Sequence, residues 1–282
     1  MIIFKHSSTL RDYLRKSVKS SKSVGFVPTM GALHAGHLSL LKKSKDLSTL
    51  TVCSIFVNPV QFNNAEDFKK YPKTIETDIL ELENNGCDIL FLPSEQEIYP
   101  DENSKEKHYE LGELEKVLEG KFRRGHFQGV CLVVDKLLSV IQPDFIFLGQ
   151  KDFQQCMVIE RLLELTHRET KVIICPILRE QNGLAMSSRN LRLNSDERKI
   201  AAELYSSLLF IKDNLNQSNF LGLKIDAMSR LENKGFKVEY LEMAKRNNLQ
   251  IVTEFVKGDE LVILIAAFLN DVRLIDNVLI NG

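Results

Sequence analysis

The chain has 282 residues, 44% of them hydrophobic and 27% charged, with a formal net charge of −1. That length suits one large or two modest globular domains with a buried core, and the balanced charge offers no basic field to hold nucleic acid through its phosphates. The longest apolar runs, such as Leu261–Leu269, fall short of the roughly 20 residues that span a bilayer, so no membrane helix is expected.

The opening stretch MIIFKHSSTLRDYLRKS has neither the apolar core nor the small-residue cleavage site of a secretion signal. From residue 23 onward, short apolar runs alternate with amphipathic stretches. SVGFVPT (23–29) reads as a strand, and HLSLLKKSKDL follows with helical spacing at Leu38, Leu41 and Leu47. Next come strand 50–58, helix 73–86 and strand 87–93, then helix 129–141, strand 143–149, helix 152–166 and strand 171–177. Strands that are apolar throughout imply a sheet covered on both faces. With helices between them, the fold class is α/β, a Rossmann-like doubly wound parallel sheet, whose ligands sit at the carboxyl ends of the strands. Three polar clusters fall at such ends: PTMGALHAGH, NPVQF and GQKD.

All prolines, cysteines and histidines occur at or before Pro176. A domain boundary is therefore expected there, with 1–176 the larger domain and 177–282 a smaller α+β domain. The latter should hold helices at 195–213 and 219–234, strands near 236–242, 260–269 and 271–280, and a tight hairpin at NDV. NSDE (194–197) reads as a helix-capping signal. The five cysteines (Cys53, Cys87, Cys131, Cys156, Cys175) are scattered, without a CxxC spacing. Reduced core thiols in a cytoplasmic protein are expected.

The cluster after the first strand asks the sharpest question. His34 and His37 are three apart and share a face of a starting helix, and Gly31 and Gly36 bracket the turn. Free N–H groups and the positive end of the helix dipole favour an anion there, and two imidazoles aimed at one point can donate to a phosphate gaining charge. Walker and GxGxxG patterns are missing, and HxxH without an acidic or third ligand nearby is a poor zinc site. No protein metal site is expected. Asp78 and Glu81 are spaced i, i+3 on a helix, where a solvated face is expected. Asp152 and Gln155 form a D-x-x-Q capping pattern alongside any binding role. RRGHFQG (123–129) reads either as a mobile basic loop or, at His126, as a structural hydrogen bond. His6, His108 and His167 are expected at the surface.

HAGH resembles the HxGH signature of the class I aminoacyl-tRNA synthetase and nucleotidyltransferase superfamily. The longer VPTMGALHAGHLSL, with SIFVNPVQF, GQKDFQQ and GLAMSSRN in that order, resembles the pantoate–β-alanine ligase (pantothenate synthetase) family, from about residue 22 to the last strands. The resemblance implies ATP-dependent joining of (R)-pantoate to β-alanine through pantoyl adenylate, giving pantothenate, AMP and pyrophosphate, with ATP as substrate together with Mg²⁺. It implies that Met30, Gly31, Ala32, Leu33, His34, Ala35, Gly36 and His37 bind ATP. His34 and His37 would stabilise the α-phosphate, and His37 would donate a proton. Gly149, Gln150, Lys151 and Asp152 would contact the nucleotide, with Lys151 catalytic through charge neutralisation. Gln61 would hold pantoate and place β-alanine, beside Asn58, and Gln155 would bind pantoate.

Met186, Ser187, Ser188 and Arg189 stand in the place of the KMSKS loop, which here has neither lysine, so Lys151 and Arg189 must supply the cations. Leu178 would touch adenine through its backbone, and Pro28, Met30, Val133 and Val134 would wall the gem-dimethyl group. Segment 62–72 is a candidate gate. The resemblance further implies a homodimer with small-molecule substrates, while charge and run lengths lead to neither nucleic acid nor a membrane as an expected partner. The alternatives are a small adenylyl- or cytidylyltransferase, a class I synthetase (disfavoured by the lack of a basic tRNA-binding appendage) and a nucleotide-binding module without catalysis.

Overall fold

In the computed structural model, which describes residues 1–18, 22–216 and 219–281, the chain divides into two compact units. One is Met1–Gly149 with Gln155–Pro176, and the other is Gln150–Gln154 with the chain from Ile177 onward.

The first unit opens with β1 (Ile2–Phe4), α1 (Ser7–Val18), β2 (Val24–Thr29), α2 (Ala35–Leu47) and β3 (Leu50–Ile55). It continues through α3 (Ala65–Lys69), α4 (Ile75–Asn84), β4 (Ile89–Phe91), α5 (Glu95–Ile98) and α6 (Leu118–Phe122). Helix α7 (His126–Ile141), β5 (Phe145–Gly149), α8 (Phe153–Leu165) and β6 (Lys171–Cys175) complete the series. The sheet runs β1-β4-β3-β2-β5-β6 with every pairing parallel. Successive side chains of a strand point to opposite faces, and the core divides accordingly. Val24, Phe26, Val52, Ile89, Phe91, Ile146 and Leu148 join one cluster with residues of α1, α7 and α8. Val27, Cys53, Ile55, Leu90 and Phe147 join another with Leu40 and Leu41 of α2 and Leu82 of α4. The doubly wound parallel sheet expected from the unbroken apolar strands is thus what forms.

The chain winds from β2 out to β4, then returns to place β5 on the other side of β2. The switch point between β2 and β5 is where such sheets take ligands. Pairing of β2 with β5 is limited to Gly25↔Phe145 and Phe26↔Ile146, although β5 continues to Gly149. Two residues further along β2 stands Pro28, which has no N–H to extend a ladder.

Several boundaries differ from the sequence reading. Strand β1 and helix α1 occupy the opening stretch, ahead of the first predicted strand. On α2 the buried face is Leu40, Leu41 and Ser44, whereas Leu47 is exposed. Edge strand β6 leaves Lys171 and Ile174 exposed, so it is not covered on both faces.

The second unit holds α9 (Ser195–Ala201), α10 (Glu203–Asn214), α11 (Phe220–Asn233) and strands β7 (Phe236–Lys245), β8 (Ile251–Val252), β9 (Glu260–Leu269) and β10 (Val272–Asn281). Its antiparallel sheet has the order β10-β9-β7-β8. The single helix expected over 195–213 is interrupted at Ala202, and the two-residue β8 carries too short a pattern to read. Asn194 and Glu197 form the capping box that NSDE announces. The β9–β10 connection is as tight as expected, with Leu269 facing Val272 and Asn270 at φ +51°.

Candidate active site

Strand β2 ends at Thr29, whose hydroxyl donates to the Ser54 carbonyl (2.8 Å) and accepts the Gly31 N–H (3.2 Å). The chain then turns through two left-handed residues, Gly31 (φ +80°) and Ala32 (φ +49°). That conformation is free of steric cost only for glycine. What holds Ala32 in it is Asp78 of α4: the Ala32 N–H donates to Oδ2 (2.9 Å), and the Leu33 N–H donates to Oδ1 (2.8 Å). The Thr74 hydroxyl also donates to Oδ1 (3.1 Å). Asp78 is 1% exposed, so the solvated face expected for it is wrong, and its carboxylate is committed to main-chain amides rather than to a metal.

His34 is the N-cap of α2, its Nδ1 accepting the Gly36 N–H at 3.1 Å. With Nδ1 accepting, a neutral His34 carries its proton on Nε2. The His37 ring lies against it, with centroids 4.0 Å apart and planes tilted by 32°. The shared face read from the spacing exists. The amide cradle is narrower than expected, because the N–H groups of Gly31, Ala32, Leu33 and Gly36 are held by the protein's own Thr29, Asp78 and His34.

After β3, Asn58 caps a 3₁₀ turn, Pro59–Gln61. Asn58 and Gln61 are both buried. The Asn58 amide donates to Gln61 Oε1 (3.1 Å) and to the Gly129 carbonyl (3.0 Å), while its Oδ1 accepts from the Tyr99 hydroxyl (2.8 Å). Gln61 Nε2 donates to the Met30 sulfur at 3.1 Å. A thioether is a weak acceptor, so this donor is only weakly satisfied. His126 Nδ1 donates to the Gln61 carbonyl (2.8 Å), and Arg123 Nη1 donates to Nε2 (3.0 Å). His126 is buried, and the structural hydrogen bond read for it is present. Val133 and Val134 lie buried in the larger core cluster of this unit, and Gln155 is half-buried near the start of α8.

Within the second unit, Gln150–Asp152 forms a 3₁₀ turn. Lys151 Nζ is 3.2 Å from both carboxylate oxygens of Asp152. The segment 178–189 is a folded loop: Met186 N–H donates to the Leu178 carbonyl (3.0 Å), and Arg179 and Ala185 form a bridge. Ser187 caps the turn Ser188–Arg192 by accepting the Arg189 N–H at 3.3 Å. Buried Asn190 ties the loop together through the Ala185 carbonyl and Glu180 (both 3.0 Å). His6 and His108 are exposed, as expected.

Sequence reasoning passed over Asp78 as a fixer of the turn, and over Tyr99, Asn190, Asp276 and Asn277. Asp276 and Asn277 had a legible signal, two polar residues between the apolar pairs Leu274–Ile275 and Val278–Leu279 of β10. Tyr99 had none. Among the described residues no cluster of three or more His, Cys, Asp or Glu side chains is placed to hold a metal ion. No helix among the described residues is long and apolar enough to cross a membrane.

The family model described as pantoate-beta-alanine ligase matches residues 2–279. A pantothenate synthetase of Cytophaga hutchinsonii is 43% identical, covering 99% of each chain. One of Caldicellulosiruptor bescii is 39% identical over the whole of both. Among solved structures, the pantothenate synthetase of Thermus thermophilus superposes with a TM-score of 0.86 at 35% identity, with 99% of each chain covered. The pantoate-beta-alanine ligase of Francisella tularensis, complexed with beta-gamma ATP and beta-alanine, does so at 0.84 and 38% identity, covering 99% of this chain and 97% of that one. On this agreement along its whole length, the chain belongs to the pantoate–β-alanine ligase family.

Proposed function

We propose that the protein condenses (R)-pantoate with β-alanine at the expense of ATP, releasing AMP and pyrophosphate. A carboxylate is a poor electrophile with a poor leaving group. In the first step a pantoate carboxylate oxygen attacks the α-phosphorus of ATP in line, the bond to the bridging oxygen breaks, and pyrophosphate departs. In the second, the β-alanine amine attacks the carbonyl of pantoyl adenylate, the amide forms, and AMP leaves with the phosphate oxygen while the amine proton is lost.

His34 and His37 are assigned to the α-phosphate, with the Nε2 of His34 donating and His37 the proton donor as pyrophosphate leaves. Met30–His37, Gly149–Asp152, Leu178 and Met186–Arg189 are assigned to ATP, with Lys151 and Arg189 neutralising phosphate charge. Gln61 and Gln155 are assigned to pantoate, and Gln61 also to β-alanine. Mg²⁺ would be held chiefly by the nucleotide phosphates and water, in keeping with its preference for these over protein cages. Residues 1–176 are assigned to ATP and pantoate binding and 177–282 to the smaller domain, with Gln150–Gln154 contributed to the latter's compact unit. Segment 62–72, where Phe62 packs on Phe68 and Tyr71, is the candidate cover that keeps water from the mixed anhydride. A cytoplasmic homodimer is the working assembly, and mass photometry tests the dimer.

The observation that carries this reading is the imidazole pair at 4.0 Å, held on a pinned turn at the carboxyl end of β2, in a chain matched end to end by the ligase family. The decisive measurement is AMP formation by the purified protein. It should require pantoate and β-alanine together, and pantoate alone should support exchange of labelled pyrophosphate into ATP. A nucleotidyl conjugate in place of free AMP and an amide, or no exchange at all, would overturn it.

A further inference from the structure

Strand β10 carries two consecutive polar residues, Asp276 and Asn277, that are 4% and 1% exposed. Polar side chains so deeply buried are costly unless satisfied, and the β9–β10 ladder uses only the main chain, so their partners show what they are for. The Asn277 carboxamide is fully engaged with the Gln150–Asp152 turn. Nδ2 donates to the carbonyls of Gln150 (2.9 Å) and Lys151 (3.0 Å), and Oδ1 accepts from Gln150 Nε2 (3.0 Å). Asp276 takes both arms of the Arg179 guanidinium at 2.6 and 2.9 Å. Arg179 in turn donates to the Gly183 carbonyl (3.1 Å), inside the loop that leads to Ser187–Arg189. Adjacent positions of one strand thus hold two separate segments, each carrying one of the cations assigned to phosphate.

We propose that Asn277 is a positioning residue for the ligase reaction, fixing the main chain on both sides of the Lys151 amide linkage and so setting where the ammonium group stands. The inference rests on the assignment of Lys151 to the nucleotide. Of the common side chains only a carboxamide supplies two donors and an acceptor from one flat group at this length. Aspartate has the shape without the donors, and leucine the bulk without either. Lys151 has a long flexible stem, and the Asp152 carboxylate beside its ammonium belongs to the same turn, so both are placed by the backbone they leave.

The test compares wild type, Asn277→Ala, Lys151→Ala and the double variant in the full-length protein. Three readouts are needed: steady-state AMP formation, thermal melting, and hydrogen exchange of the amides of 150–154. Asn277→Ala is expected to remain folded, to speed exchange in 150–154 at least about tenfold, and to lower kcat by about 10- to 100-fold, as for displaced catalytic groups. KM for β-alanine should stay within about twofold, since that substrate does not depend on the lysine. The double variant should be no slower than Lys151→Ala alone, because two residues acting through one ammonium group do not add.

Unchanged exchange, a near-normal kcat, or losses that multiply in the double variant would each overturn the proposal. Should Asn277→Ala fail to fold, Asn277→Asp takes its place with the same expected outcomes. Wild-type protein that forms no AMP overturns the ligase reading, not the hold on the turn, which the exchange measurement decides by itself.

Discussion

One buried carboxylate, that of Asp78, accepts two consecutive amides of the turn that feeds the histidine pair. Asp78→Asn keeps the size but turns one acceptor into a donor facing an N–H. It is expected to cost about 1–3 kcal/mol in stability and to slow AMP formation about 10- to 100-fold through misplacement of His34 and His37. Denaturant unfolding together with kcat checks both. A variant that loses stability but keeps full turnover at a temperature where it is folded would show that the turn needs no such pin. His37→Ala is expected to lower kcat at least about 100-fold with little loss of stability; near-normal turnover would remove it from the chemistry. The histidines were legible because two imidazoles three apart at a strand end have few structural uses. Asp78 was not, since its spacing to Glu81 looks the same on a solvated helix as on a buried one. Only the fold reveals that it lies beneath a chain reversal 45 residues earlier.

At the scale of elements, α7 approaches the Asn58–Gln61 turn as closely as it does because position 129 is glycine. A Cβ there would stand 2.6 Å from the Val60 carbonyl oxygen and 2.7 Å from the Gln61 Cα and N. These are backbone atoms that cannot swing aside. Gly129→Ala is expected to destabilise by about 1–3 kcal/mol, as overpacking does, and to raise KM for pantoate more than KM for ATP, because the displaced group is Gln61. A uniform fall in kcat with unchanged KM values would contradict that. The order and type of the α/β elements were readable because unbroken apolar strands and amphipathic helices have distinct periods. Their ends were not. Loss of pairing sets the boundary at β4, where only Ile89–Phe91 finds partners. The break at Ala202 and the exposure of Leu47 follow from packing, which no period encodes.

On the scale of the molecule, electrostatics ties distant segments of the first unit together. Burial works to raise the Asp135 pKa, but hydrogen bonds from Lys107 (2.7 Å), Arg168 (2.7 Å) and Tyr109 (2.8 Å) outweigh it and hold the carboxyl below its usual range. A depressed native pKa stabilises at pH above the unfolded value near 4, and that contribution is lost as pH falls through the native one. Asp135→Asn is therefore expected to be about 2 kcal/mol less stable near neutrality, with the gap closing below about pH 4; a gap independent of pH would contradict the assignment.

The five cysteines are all buried thiols. Burial pushes Cys87 up to about 11 and Cys131 up to about 12. None should react with dithionitrobenzoate in the native protein at about pH 8, and all should once it is unfolded; rapid labelling of any one would mean that its segment opens. Their burial could be anticipated from scattered positions in apolar runs. The partners of Asp135 could not, because Lys107 and Arg168 lie on either side of it in sequence with no pattern joining them.

The grip of Asn277 on Gln150 spans 127 positions of the chain. On a ribosome adding roughly 5–20 residues per second, the 150–152 turn waits about ten seconds after its own synthesis before the strand that braces it exists. A nascent chain arrested ahead of β10 can already display both histidines and the Lys151–Asp152 pair, yet it lacks the carboxamide that braces their turn, so full ligation should begin only once that late strand has been made.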